Sequence, residues 1–332
     1  MSQTKNKPIA VVISDVHYNI NTIKIADQCM RSAIAVANEL EVPLVVAGDL
    51  HDTKANLRGE CVRAMLDTFE LTKSRSILLV GNHDRLNEKS EADALDFLRN
   101  ETTLIRTPTF NEQLGCYLIP YQHDVQQLKQ DLSLIPTGAK IIMHQGLQGA
   151  LAGGYAHDKT ALTQEEYAPF KIISGHYHEH QTKGAVTYVG NPYTLDFSEA
   201  KHPPKGFIVL NEDFTFDRVL TNVRRHYVVE IDWDTKEIKK TAGTMGKDDI
   251  ILVKIQGTKN DLAGIEKNCL IKLFDLPEVF RLDLIPKDSQ TTNVVFDASQ
   301  TAQDLYNSVV DAMPNFTEAE KKCIKQYWES AT

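Results

Sequence analysis

Pro43-Leu44-Val45-Val46-Ala47-Gly48-Asp49-Leu50-His51-Asp52 reads as a short buried strand that ends in a cluster of metal-ligand side chains. A brief apolar run rich in β-branched residues fits a strand covered on both faces. Open α/β sheets place their sites beyond the carboxyl ends of such strands. The same pattern recurs along the chain. Residues 9–13 run into Asp15-Val16-His17, and residues 77–80 into Gly81-Asn82-His83-Asp84. Residues 141–143 end at His144, and Ile172-Ile173 leads to Gly175-His176-Tyr177-His178. One such cluster means little; five in one orientation make a site.

Around these runs the first ~200 residues alternate strand and helix patterns. Residues 23–40 carry helical spacing at Ile25, Cys29, Ala33, Val36 and Leu40; residues 59–71 and 91–98 read as further helices. Strand, helix, strand, helix, strand predicts parallel βαβ units. From Cys116 onward strands dominate, at 116–119, 140–143, 171–174, 186–189 and 206–210. Gly190-Asn191-Pro192 and Pro203-Pro204 punctuate them as turns. A composition shift follows. Strands at 227–232, 250–256 and 279–285 with a helix at 261–269 form a small α/β module, and residues 301–328 have helical spacing broken by Pro314. The expected domains are 1–220, 221–286 and a helical tail, 287–332.

At 332 residues, 42% hydrophobic and 24% charged, the chain reads as an ordinary globular protein. Its polar first residues, Met1-Ser2-Gln3-Thr4-Lys5-Asn6-Lys7, pass straight into a strand, which predicts no signal peptide; no run has membrane-span length. Cys29, Cys61, Cys116, Cys269 and Cys323 are scattered, odd in number and without CxxC spacing. That usage argues for a reducing compartment, hence the cytoplasm, and against a cysteine zinc site. The net charge of −9 is unlike a free-standing DNA binder. Cations over the carboxylates would reverse the local sign. Local basic clusters (Lys201, His202 and Lys205; Arg224, Arg225 and His226; Lys321, Lys322 and Lys325) fit solvated surface better than a phosphate track. A Gly-x-Ser-x-Gly elbow and a Gly-x-x-x-x-Gly-Lys loop are both missing from the sequence, which sets aside serine hydrolysis and intrinsic ATP use.

The clusters carry a definite chemistry. In an extended segment Asp15 and His17 point to one face and can reach one metal. Asp49 can bridge two cations through its two oxygens, and Asn82 supplies a neutral oxygen. With His144, His176 and His178, each of two metals receives four protein ligands, Asp49 being shared. Oxygen and imidazole ligation without thiolate favours manganese, with iron or magnesium as alternatives. Two cations ~3.5–4 Å apart suit in-line phosphoryl displacement by a bridging hydroxide. His83 is not needed for coordination and is the candidate general acid for the leaving oxygen. Asp52 is placed to hydrogen-bond its other ring nitrogen and fix the tautomer. His51, His123, His157, His180, His202 and His226 read as surface or loop histidines, Asp84 as a cap, and Tyr177 as either a base-stacking ring or packing.

In order, Asp15-x-His17, Gly48-Asp49-x-x-Asp52, Gly81-Asn82-His83-Asp84, His144 and Gly175-His176-x-His178 resemble the complete calcineurin-like metallophosphoesterase pattern. The resemblance implies a four-layer α/β sandwich, two mixed sheets flanked by helices. It assigns Asp15, His17, Asp49 and His178 to one metal, and Asp49, Asn82, His144 and His176 to the other. It implies the same roles for His83 and Asp52; because some members have a histidine where Asp52 stands, neighbouring His51 is not read as that group. Tyr188-Val189-Gly190-Asn191-Pro192, Phe197-Ser198-Glu199 and Lys205-Gly206-Phe207 are similar to the segment that follows in SbcD-type nuclease subunits. That narrower likeness implies a small capping domain, a DNA substrate, a homodimer, and a tail that binds an SbcC-type coiled-coil ATPase. The length resembles compact phage recombination subunits, working in the host cytoplasm. Two other functions stay open: a small-molecule phosphodiesterase or phosphatase of the same superfamily, and a non-catalytic protein-binding scaffold.

Overall fold

The computed structural model describes residues 6–54, 56–87, 90, 92–151, 161–240, 244–274, 280–287, 310–311, 321–322 and 325. It divides into two compact units, residues 1–228 with 241–251, and residues 229–240 with 252–332.

The first unit begins with β1 (Pro8–Ile13), α1 (Ile23–Leu40), β2 (Leu44–Val46), α2 (Gly59–Phe69), β3 (Ser76–Leu79) and β4 (Thr102–Ile105). It continues with β5 (Thr109–Asn111), β6 (Cys116–Ile119), α3 (Val125–Ser133), β7 (Lys140–His144), α4 (Gln164–Tyr167) and β8 (Lys171–Gly175). Then come β9 (Gln181–Lys183), β10 (Val186–Tyr188), β11 (Gly206–Asn211) and β12 (Phe216–Leu220). One six-stranded sheet has the order β12-β11-β1-β2-β3-β4, and the other β5-β6-β7-β8-β10-β9. Both are mixed: β1 to β4 run parallel, with β1 paired antiparallel to β11, while β6, β7, β8 and β10 run parallel between antiparallel edges.

Strand alternation sorts the core into layers. Ala10 and Val12 of β1, with Val45, Ile77 and Leu79, face Leu118, Ile142 and Ile173 of the other sheet. The alternate residues Val11 and Ile13, with Leu44, Val46 and Leu78, pack on Met30, Ala33, Cys61 and Met65 of α1 and α2. Behind the second sheet, Ile119, Ile141, Met143 and Ile172 pack on Leu128 and Leu132 of α3 and Tyr167 of α4. The result is helices, sheet, sheet, helices, as the resemblance implies. Each fully buried Ile, Leu or Met adds roughly 1.5–3 kcal/mol, so the three layers of contact dominate the unit's stability.

The second unit holds most of a four-stranded sheet ordered β14-β13-β15-β16, from β13 (His226–Asp232), β14 (Ile238–Lys240), β15 (Ile250–Gly257) and β16 (Arg281–Pro286). β15 and β16 are parallel, joined across α5 (Lys259–Ala263) and α6 (Lys267–Phe274). The single helix expected at 261–269 is therefore two, broken at Gly264, the residue that closes α5. Likewise the helix expected at 91–98 is only a 3₁₀ turn, Asp96–Leu98. There the Asp93 carboxylate accepts from Leu95 N at 2.9 Å and pairs with Arg106 at 2.6 Å, a local bond that competes with helix formation. Most of the expected tail, 287–332, lies outside the described residues. Among those described, no helix is long and apolar enough to cross a membrane.

Candidate metal centre

The loops leaving β1, β2 and β3, the end of β7 and the loop leaving β8 bring the predicted ligands together. They do so by an unexpected backbone route. Asp15 and His17 are not extended; their φ angles are 54° and 50°, and Asp49 and His176 stand at 51° and 90°. Non-glycine residues rarely occupy this left-handed region, where Asp and His are enriched. Paired loops hold them there: Asp15 N donates to Gly48 O and His17 N to Asp49 O, each at 3.1 Å, and Tyr18 N to Leu50 O at 2.8 Å. Strained conformations persist where the surroundings over-determine them, and they concentrate at functional sites.

Ligand atoms of Asp15, His17 and His178 lie within 4.8 Å of one another, and so do those of Asp49, His144 and His176. The direction of each proton follows from its partners. His178 Nδ1 lies 2.7 Å from Glu199 Oε1, and a carboxylate only accepts, so Nδ1 carries the hydrogen and Nε2 presents a lone pair. That Nε2 is 3.1 Å from Nε2 of His17, whose own Nδ1 is 3.2 Å from the Asp52 carboxylate. His144 Nδ1 donates to Ala47 O at 2.7 Å, so its Nε2 lone pair meets Asn82 Oδ1 at 3.0 Å and Asp49 Oδ2 at 3.2 Å. His176 Nδ1 reaches the same Asn82 oxygen at 2.9 Å. Acceptors facing acceptors in a buried site need a positive charge between them, a proton or a metal, and this donor set fits two divalent ions. Asp49 stands between the groups, 3.2 Å from His144 Nε2 and 3.9 Å from His17 Nε2.

Electrostatics tell the same story. Burial opposes the charge on Asp49, yet His144, His83 and His17 hold its carboxyl well below the usual range. Burial alone would push His144 down; Asp49 wins and holds it up at about 9. In the absence of a metal, the acceptors recruit a proton.

His83 sits edge-on to His17, with ring centroids 4.8 Å apart. Its Nδ1 bonds Asp52 at 2.7 Å, but to the main-chain carbonyl rather than the carboxylate. The Asp52 carboxylate turns to His17 instead and accepts from Asn19 Nδ2 at 3.1 Å. The support expected from Asp52 thus comes from its backbone, because the side chain is already engaged with a ligand.

Other expectations divide. Tyr177 packs behind the site, stacked on Tyr188 at 4.8 Å. His51 and His226 are buried rather than superficial, while His123 is exposed and His157 lies outside the described residues. His180 bonds Val189 O, and His202 lies 3.0 Å from Lys205 Nζ. Asp84 is no cap: it is fully buried and ties two ligand loops, accepting from His51 N and Gly81 N at 2.9 and 2.8 Å. Behind His178 stand Asn191, Glu199 and Lys205, whose mutual contacts sequence reasoning misses. Residue type alone carried little signal, because the stretch also holds Thr194, Asp196, Ser198, Lys201 and His202, and only burial shows which polar groups must find partners. In that network burial opposes the charge on Glu199, but His178 and Lys205 hold its carboxyl well below the usual range. Burial draws Lys205 below the usual lysine value.

Residues 10–180 match the family model for the calcineurin-like phosphoesterases, and the chain belongs to that family. It is therefore a phosphoesterase of a family that uses divalent metals, and its candidate ligands are Asp15, His17 and His178 with Asp49, His144 and His176, beside a third grouping of His17, Asp52 and His83. No curated protein matches the chain. A solved structure from work on a novel archaeal phosphodiesterase is similar at 12% identity, with a TM-score of 0.35, over 64% of this chain and 99% of that one.

Proposed function

We propose that the chain is a two-metal DNA phosphodiesterase, the nuclease subunit of an SbcCD-like repair or recombination complex, with manganese as its working metal. The observation that carries the phosphoester chemistry is Asp49 lodged between two sets of imidazole acceptors. Two divalent cations there supply a water activated near neutral pH and offset charge on the phosphate. Asp15, His17, Asp49 and His178 hold one cation; Asp49, Asn82, His144 and His176 hold the other. His83 keeps its Nδ1 hydrogen on the Asp52 carbonyl, which leaves Nε2 to give a proton to the departing sugar oxygen.

DNA as substrate is supported by two features: the likeness of residues 188–207 to SbcD-type subunits, and the β-α-α-β module between Ile250 and Pro286. The same likeness supports a homodimer and a coiled-coil ATPase partner bound through the tail. Purified protein with manganese should degrade linear DNA. Hydrolysis of nucleotides with DNA left intact, unchanged after removal of residues 227–332, would favour the small-molecule reading. Failure to bind any divalent metal would favour the scaffold.

A further inference from the structure

We infer that Glu199 is the positioning residue for His178, and that the Lys205 and Asn191 side chains hold Glu199 in that task. The inference rests on the two-cation reading of the site and names how one ligand is prepared for its ion.

Glu199 is buried, and every one of its contacts points the same way. Oε1 faces His178 Nδ1 at 2.7 Å. Asn191 Nδ2 donates to both oxygens, at 3.2 and 2.9 Å. Leu195 N donates to Oε2 at 3.1 Å, and Lys205 Nζ lies 3.2 Å from Oε2. Lys205 Nζ also donates to the Asn191 amide oxygen and, at 3.0 Å, to the main-chain carbonyl of His178 itself. The lysine thus grips the same histidine twice, through its backbone and through Glu199. Asn191 N closes the ring by donating to His178 O at 3.2 Å.

A buried carboxylate costs several kcal/mol unless it is paired and hydrogen-bonded. Here it is both, and its one directional output is His178 Nδ1. A ligating histidine whose second nitrogen is held by a carboxylate has a fixed tautomer and a more basic Nε2. The remaining geometry agrees, because Nε2 of His178 meets Nε2 of His17 at 3.1 Å, where a cation would lie. The other site is built differently: His144 is held by the neutral carbonyl of Ala47. The two cations therefore depend on different partners, and loss of Glu199 strikes one site only.

The test is manganese binding to the full chain, followed by calorimetry and by metal stoichiometry after dialysis. Wild-type protein should take up two ions. Glu199→Ala should weaken one of the two by about 10–100-fold and leave the other within about threefold. Glu199→Gln, which keeps an oxygen acceptor but loses the charge, should fall between. Nitrogen NMR of metal-free wild-type protein should show His178 protonated at Nδ1. Wild type binding no ion would overturn the two-cation reading. Wild type binding two, with both unchanged in a folded Glu199→Ala or Glu199→Gln protein, would overturn this inference alone. So would a neutral His178 that carries its hydrogen on Nε2 and none on Nδ1 in the wild type, a measurement that needs no variant to fold.

Discussion

His17 and His178 bring their Nε2 atoms to 3.1 Å although they lie 161 positions apart in the chain. Each has a carboxylate near its other nitrogen, Asp52 for His17 and Glu199 for His178. Such a pair is held together by a proton on one of the two nitrogens or by a cation that takes both as ligands. Divalent metal should therefore stabilise the fold, by about 2.7 kcal/mol at a hundredfold excess over Kd. Thermal melts with and without a chelator measure this; identical melts would contradict it.

The two faces of Asp52 make separable predictions. Its carboxylate serves His17, and its carbonyl serves His83. Asp52→Asn should weaken metal binding by about 10–100-fold while the backbone bond to His83 remains. Full metal affinity with a shifted alkaline limb of the pH–rate profile, the limb a general acid sets, would reverse the assignment.

His83→Ala should keep both metals and lose about 10²–10⁴-fold in kcat. The check is turnover at saturating metal, beside stoichiometry. A nearly unchanged kcat would remove His83 from proton transfer.

Gly48 has φ +90°, and a Cβ there would collide with the His144 imidazole. Gly48→Ala should cost roughly 1–2 kcal/mol from backbone alone, and more from crowding the ligand. Gly138 has φ +83° with nothing near its would-be Cβ, so Gly138→Ala gives the backbone cost by itself. Denaturant midpoints should place Gly48→Ala clearly below Gly138→Ala; equal values would show that His144 yields freely.

Burial, reinforced by the charge of Asp49, raises the Asp84 carboxyl to about 7. A carboxyl raised on folding contributes stability that is complete below its unfolded value, about 3.9, and lost as pH climbs through the folded one. In metal-free protein the contribution of Asp84 should therefore fall between about pH 4 and about 7, so that wild type loses stability relative to Asp84→Asn across that range. Unfolding curves at stepped pH decide it, since equal slopes in both proteins would clear Asp84 of the effect.

Much of this was legible in the residues. Helical spacing over 23–40 is strong, and α1 spans those residues. The ligand runs are apolar on both faces and stand as central strands. Thr102–Ile105 and Thr109–Asn111 are too short to show a period, and pairing with neighbours makes them strands. α3 buries only Leu128 and Leu132; its signal lay in Asp124, whose side chain accepts from Gln126 N and Gln127 N. The residue types of the site were readable, but not the left-handed turns at Asp15 and His17, which are set by pairing with a distant loop. The double use of Asp52 was hidden for a similar reason: sequence spacing cannot tell a carbonyl from a carboxylate.

Those left-handed turns bear on how an ion arrives. With Asp15, His17, Asp49 and His176 aimed by the main chain, convergence of the ligands is settled when the protein folds. An incoming cation then has little protein to rearrange, so shedding its own hydration shell becomes the slow event, and uptake rates should follow the metal's water-exchange rate.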